Sequence, residues 1–314
     1  ETKLEAVGSV VAGRLFWLKL ATGVAVILAG FLVLWPGQSG GRDAVPPENG
    51  KSLAPGDSAG QEVFEKLRGK VVYQRSDGIY LLSLPDRTAK RLVPYGTYPR
   101  WAPDGRQIVF VHGNAIMLAD SEGRDVRKIA EAKKARAVCF APDGKSVFFS
   151  DGTFLNKVEL GTARVSTLLE NNSEFREFDL SADGMRLAAT VRTLLGTKVL
   201  VYDLGRGRVE RTVANGCSAS LSPDGRLITV NGATHRKLDL YNWQTLESEG
   251  FVSAPEGLKF DNQYWSNHPA WLVSTSEGGG PDIYLHHVPS NTAYRVTTTG
   301  DCDRADLFIT EFAS

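Results

Sequence analysis

Cysteine is scarce, methionine scarcer, and neither sign of charge is in excess. The three cysteines among 314 residues, Cys139, Cys217 and Cys302, form an odd and widely spaced set. They supply neither a disulfide framework nor a zinc-ligand spacing, so buried thiols are the expectation. One bridge, Cys217 to Cys302, stays open to the chain in an oxidising compartment. Lys plus Arg total 36 and Asp plus Glu total 36, for a formal net charge of zero. Such a domain has no global field to attract nucleic acid, and no nucleic acid is expected among its partners. Missing too are a nucleophile elbow, a glycine-rich phosphate loop between strand and helix, and a His-Glu-x-x-His metal motif. The stretch Glu277-Gly278-Gly279-Gly280-Pro281 is glycine-rich but reads as a hairpin loop. No catalytic residue, cofactor or metal site is therefore expected, and the chain does not read as an enzyme.

One long apolar run occurs, LFWLKLATGVAVILAGFLVLW from Leu15 to Trp35. About twenty residues suffice for a helix to cross a hydrocarbon core of about 30 Å. Its single charge, Lys19, lies near one end, where a long side chain reaches the headgroups. Trp17 and Trp35 mark the two ends, as interfacial aromatics do. With no Ala-x-Ala cleavage site and no lipobox cysteine, the run reads as an uncleaved signal anchor. Lys3, Arg14 and Lys19 on one side outweigh Arg42 and Lys51 on the other, which favours the N-terminus inside. Residues 1–14 are then cytoplasmic, residues 15–35 span a bacterial inner membrane, and the rest is periplasmic. Residues 36–68, rich in Gly, Pro, Ser and charge, read as a flexible linker to a domain at 69–314.

That domain is repetitive. WAPDGRQIVFV from Trp101, FAPDGKSVFFS from Phe140, LSADGMRLAAT from Leu180 and LSPDGRLITVN from Leu221 align at once. Their aspartates, Asp104, Asp143, Asp183 and Asp224, recur about every forty residues, the period of a four-stranded propeller blade. YWSNHPAWLVS from Tyr264 is a fifth copy in which Asn267-His268 replaces Asp-Gly. Asp-Gly makes a tight hairpin, because glycine accepts positive φ and aspartate bonds its own backbone. The strand after each turn is apolar on both faces, so each blade must be covered by neighbours and the ring must close. Residues 70–93 supply three strands lacking a first, and residues 303–312 a first strand with nothing after it. Joined, they make a sixth blade.

These motifs resemble the WD40-like (PD40) repeat of the periplasmic TolB-type propellers, over residues from about Lys70 to the end. The resemblance implies an all-β, six-bladed β-propeller and is nearly silent on function, because such rings host carriers, peptidase gates and scaffolds alike. TolB-type chains carry an α/β domain before the ring, where this chain has its apolar run.

Inner strands line a propeller's channel, so their polar residues are the candidate binding site: Arg100, Arg136, Glu174, Arg176, Glu177, Asp179, Asp261, Asp301, Asp303, Arg304 and Asp306. Acids and arginines mixed in this way could hold a peptide terminus, a cation or a small anion, or simply pair around water. Any cation is expected at the acidic run Asp301–Asp306. A rim site is the alternative at Trp265, His268 and Trp271, which form either a contact surface or a turn packed by its own aromatics. His286 and His287 are adjacent on a strand, so they face opposite ways and cannot chelate one metal. The composite reading is a membrane-anchored, extracytoplasmic protein-binding scaffold, an accessory subunit whose partners are membrane or periplasmic proteins and, through the helix, the lipid bilayer. Two alternatives are a ligand sensor signalling through Leu15–Trp35 to a cytosolic domain upstream of Glu1, and a propeller-type hydrolase or lyase.

Overall fold

The computed structural model describes residues 51–53, 66–255 and 257–312. The cytoplasmic segment expected at 1–14, the signal anchor at 15–35 with Leu15, Trp17, Lys19 and Trp35, and most of the linker lie outside these residues. Among the described residues no helix is long and apolar enough to cross a membrane.

In chain order the strands are β1 (Lys51–Leu53), β2 (Leu67–Arg75), β3 (Gly78–Leu84), β4 (Thr88–Val93), β5 (Thr97–Trp101), β6 (Gln107–His112), β7 (Ala115–Asp120) and β8 (Arg127–Glu131). There follow β9 (Val138–Phe140), β10 (Ser146–Asp151), β11 (Phe154–Glu159), β12 (Val165–Glu170), β13 (Glu174–Leu180), β14 (Arg186–Thr193), β15 (Gly196–Asp203) and β16 (Arg208–Asn215). The last are β17 (Leu227–Asn231), β18 (Lys237–Asn242), β19 (Ser248–Ser253), β20 (Lys259–Trp265), β21 (Trp271–Glu277), β22 (Ile283–His287), β23 (Thr292–Arg295) and β24 (Asp303–Phe312). They form six sheets, each a blade of a propeller. Blade 1 is β24-β2-β3-β4, and the next three blades are β5 to β8, β9 to β12 and β13 to β16. In blade 5 the innermost strand is reduced to two bridges, Cys217 to Asn231 and Leu221 to Ile228, beside β17 to β19. Blade 6 is β20 to β23, with β1 added in parallel outside β23.

Ring closure is as the repeat requires. β24 pairs antiparallel with β2, from Leu67 opposite Phe312 to Gln74 opposite Asp303. The second strand of each blade is the most deeply covered; β10 and β17 are buried along nearly their whole length, because a neighbouring blade lies on either face. Outer strands such as β4 and β12 are largely exposed. In each Asp-Gly turn the aspartate Oδ1 accepts the N–H two residues on, at 2.9–3.1 Å, in all four copies. The glycine takes φ of 67°, 67°, 68° and 74° in turn, a region costly for other residues. At Gly105 a Cβ would also lie 2.4 Å from the Phe308 ring of the closing strand. In the fifth copy Asn267 departs from the pattern for a reason. Its Oδ1 accepts the Ile309 N–H at 2.7 Å and its Nδ2 donates to the Ile309 carbonyl at 2.9 Å, tying blade 6 to the closing strand.

All three cysteines are free thiols, so the Cys217–Cys302 bridge left open above is not formed. The two belong to different ends of the chain's path: Cys217 heads blade 5, and Cys302 meets the Thr299 hydroxyl at 3.1 Å before β24. His286 and His287 face opposite ways as the strand demands. His286 is buried, its Nε2 2.7 Å from the Ser274 hydroxyl, whereas His287 stacks near Trp271.

Burial drives the His286 imidazole down to about 3. Below pH 6.5 the unfolded chain takes up a proton that the native imidazole refuses, so acid withdraws stability, by at most about 1.4 kcal/mol per pH unit. His286→Gln keeps a polar partner for Ser274 without titrating. In urea unfolding it should lessen the stability lost between pH 7 and pH 5 by about 2 kcal/mol; an unchanged loss would mean that the native imidazole titrates normally.

Candidate functional site

Residues lining the channel are aimed by irregularities in the innermost strands. Pairing slips between Thr97 and Arg100 in β5, between Phe175 and Glu177 in β13, and between Asp261 and Tyr264 in β20. Tyr98, Ser218, Asn262 and Arg304 sit at corresponding points of four innermost strands with φ of 57°, 57°, 54° and 47°. Each is a bulge or its equivalent, which breaks strict alternation and sends side chains toward the axis. Non-glycine residues in this region carry backbone strain held by their surroundings.

Halfway down, Arg100 crosses the axis. Its Nε donates to Asp306 Oδ2 and its Nη2 to Asp179 Oδ1, both at 3.2 Å. The Tyr264 ring lies beneath it, 4.0 Å from centroid to guanidinium carbon. Asp306 Oδ2 also accepts the Trp101 N–H at 2.7 Å, and Asp179 Oδ2 accepts the Ser220 hydroxyl at 2.7 Å. Burial opposes the charge on Arg100, yet Asp306 and Asp179 outweigh it and hold the guanidinium protonated. Burial pushes the Asp306 carboxyl above the usual carboxylate range, with Arg100 acting against that rise.

Above this barrier, at the end where innermost strands begin, lies the mouth. Arg304 stacks on Tyr98 at 4.4 Å and faces Glu177 Oε1 at 3.8 Å. Glu177 Oε2 accepts the Ser218 N–H at 2.8 Å and the Thr190 hydroxyl at 3.1 Å. Its carboxyl is held high by burial first and by Asp261 second. Asp303 is taken by Gln74 at 3.2 Å and Asn262 at 2.9 Å, and Asp301 by Arg75 at 2.9 Å. Arg136 and Arg176 both pair with Glu174, at 3.0 Å each. The acids of the run Asp301–Asp306 thus each meet a different partner and do not converge on one point.

A convergence that sequence spacing concealed lies between blades 5 and 6. Cys217 Sγ is 3.7 Å from His235 Nε2 and 3.7 Å from Asp261 Oδ1. His235 Nδ1 meets Glu277 Oε1 at 2.5 Å, and the Ser218 hydroxyl lies 3.4 Å from Asp261. Ligand atoms of His235, Asp261 and Glu277 fall within 4.8 Å of one another. Burial, then Glu177 and Asp261, push the Cys217 thiol up. Cys217 and His235 belong to blade 5, and Asp261 in β20 and Glu277 at the end of β21 belong to blade 6, so the packing of these neighbouring blades assembles them.

The opposite end, where the Asp-Gly turns lie, holds a recess of about 190 Å³ whose wall includes Pro103, Pro142, Pro223 and Phe308 and whose floor is Arg100, Asp179 and Asp306. Trp265 borders it but is buried, and Trp271 is wholly buried. Of the three rim candidates only half-buried His268 reaches the surface, and it packs on Phe312 at 5.5 Å. This segment is a turn packed by its own aromatics, because the tryptophans fill blade 6 where its neighbours press on both faces.

On the mouth side, β14 and β15 run eight residues each, longer than the corresponding six-residue pairs of blades 2 and 3. Their hairpin turns at Leu194 and Leu195, whose relative exposures are 105% and 95%.

No protein-family model and no curated protein matches the chain. Solved structures do. TolB from Acinetobacter baumannii is 18% identical, with a TM-score of 0.64 over 77% of this chain and 67% of that one. A TolB from Agrobacterium tumefaciens is 13% identical, with a TM-score of 0.62 over 79% and 99%. A chain of a nidogen/laminin complex is 10% identical, with a TM-score of 0.62 over 77% and 98%. At these identities the likeness establishes the TolB-type propeller as the fold.

Arg100→Met keeps length and removes the charge, leaving Asp179 and Asp306 buried without it. The expected loss is about 3–5 kcal/mol in urea unfolding. The deficit should be smaller at pH 5 than at pH 8, because burial, no longer opposed by Arg100, favours the neutral Asp306 carboxyl. A variant as stable as the parent at both values would show that the crossing does not hold the ring.

Proposed function

We propose that this chain is a non-catalytic docking propeller, tethered outside a bacterial inner membrane by Leu15–Trp35, that binds an extracytoplasmic or membrane protein as an accessory subunit of a larger assembly. The observation that carries this reading is the bare Leu194–Leu195 tip. Two leucines held in water at the end of a long hairpin gain about 1.5–3 kcal/mol each when a partner covers them. Five of the remaining six exposed large apolar residues among those described, Phe154, Val165, Leu168, Met185 and Val209, belong to the same two blades, 3 and 4. Apolar exposure gathered on one sector, rather than scattered, marks an interaction surface.

A similar chain forms part of a nidogen/laminin complex, a protein–protein assembly.

The test compares the parent with Leu194→Ser/Leu195→Ser, each tagged after Ser314 and drawn from native membranes in mild detergent. The parent should retain one or more membrane proteins at constant ratio, and the double variant should lose them about tenfold or more at equal expression and thermal stability. A parent recovered alone after crosslinking in the membrane would overturn the docking reading. Partners retained in full by the variant would remove the hairpin from it.

A further inference from the structure

The side chains gathered between blades 5 and 6 form the donor set of a metal centre, and we propose that Cys217, His235 and Asp261 bind one zinc ion, with Glu277 holding the histidine from behind. This inference stands apart from the docking reading and does not rest on it.

The sulfur stands from both other ligands at a spacing that suits a tetrahedral site. With Zn–S of about 2.3 Å and Zn–N or Zn–O of about 2.0 Å, the edges from sulfur to the other two ligands are about 3.5 Å. Both edges here measure 3.7 Å, close to that spacing. A thiolate, an imidazole and a carboxylate together suit zinc, whereas calcium and magnesium ask for oxygen alone.

Glu277 supplies the second argument. A carboxylate can only accept, so its contact with Nδ1 places the ring proton there and leaves Nε2, the nitrogen facing Cys217, with a free lone pair. A carboxylate behind a histidine whose other nitrogen is turned to a common point is the usual outer shell of a zinc ligand.

Charge supplies the third. Asp261 and Glu177 act on the sulfur and Glu277 on the imidazole beside it, and among the described residues the basic partners of these acids are Arg304 on Glu177 and His235 on Glu277. Cysteine, histidine and glutamate in this order also occur in thiol nucleophiles, but there a cationic imidazole favours the thiolate. Here Asp261 stands 3.7 Å from the sulfur and opposes a bare thiolate. A divalent cation removes that opposition: the thiol proton leaves to solvent and the sulfur, nitrogen and oxygen all bind the ion. Three protein ligands leave a fourth position for water or an incoming group at the mouth.

The probe is cobalt(II) alone, titrated into the chelator-stripped full chain in detergent, without a histidine tag. One equivalent should bring up a thiolate-to-cobalt charge-transfer band in the near ultraviolet with the strong visible absorption of a tetrahedral site, and zinc should erase both. Cys217→Ser should abolish the charge-transfer band at unchanged circular dichroism. Glu277→Gln should weaken cobalt binding by about 10–100-fold while keeping the band. In the unsubstituted chain, zinc should also slow alkylation of Cys217, a measurement independent of whether any variant folds. No band in the parent, a band that persists in Cys217→Ser, or an alkylation rate indifferent to zinc would each overturn the assignment.

Discussion

Everything near the axis depends on a guanidinium that reaches across it. Arg100 starts in blade 2, Asp306 is on the closing strand of blade 1, and Asp179 stands in blade 4. The chain of contacts continues, since Ser220 of blade 5 donates to Asp179 and accepts the Trp265 N–H of blade 6 at 3.0 Å. Five of six innermost strands are thereby joined where apolar side chains from opposite blades do not meet. Such a cluster is sustained only if both acids and the arginine are present together, because each alone would be a buried, unpaired charge.

The same crossing divides the interior into two separate depressions with different chemistry. Behind it is a shallow recess walled by the prolines of the repeated turn. In front is a polar mouth whose strands have given up regular pairing, most of all in blade 5, where the innermost strand retains only two bridges. That loss of ladder is what presents Cys217 and Ser218 sideways toward Asp261. Irregularity and chemistry coincide here, as expected where a fold departs from its own repeat.

Much of this was legible beforehand. The Asp-Gly period announced the blades, and the segments 70–93 and 303–312 announced how the ring closes, because the first lacks an innermost strand and the second is an innermost strand with nothing after it. Arg100, Asp306 and Arg304 were legible as channel residues from strand position alone. Their pairing was not, since the bulges at Tyr98 and Arg304 leave no mark in the residue types. Nor was the meeting of Cys217, His235, Asp261 and Glu277, whose separations match no local ligand spacing and which only neighbouring blades bring together. Trp265 and Trp271 could be read two ways, as a contact surface or as a turn packed by its own aromatics, and both are buried in blade 6.

The partnership of β2 with β24 also has a meaning in time. Gln74 bonds to a residue 229 positions further along, so the first blade to be synthesised is the last to be finished. Until the final strand emerges, β2 presents an unpaired edge, and an open arc of blades has to avoid pairing with other chains. Contacts this distant in sequence make for slow completion. The newborn protein is therefore most vulnerable until β24 has been translated, and that is when a chaperone would have most to protect.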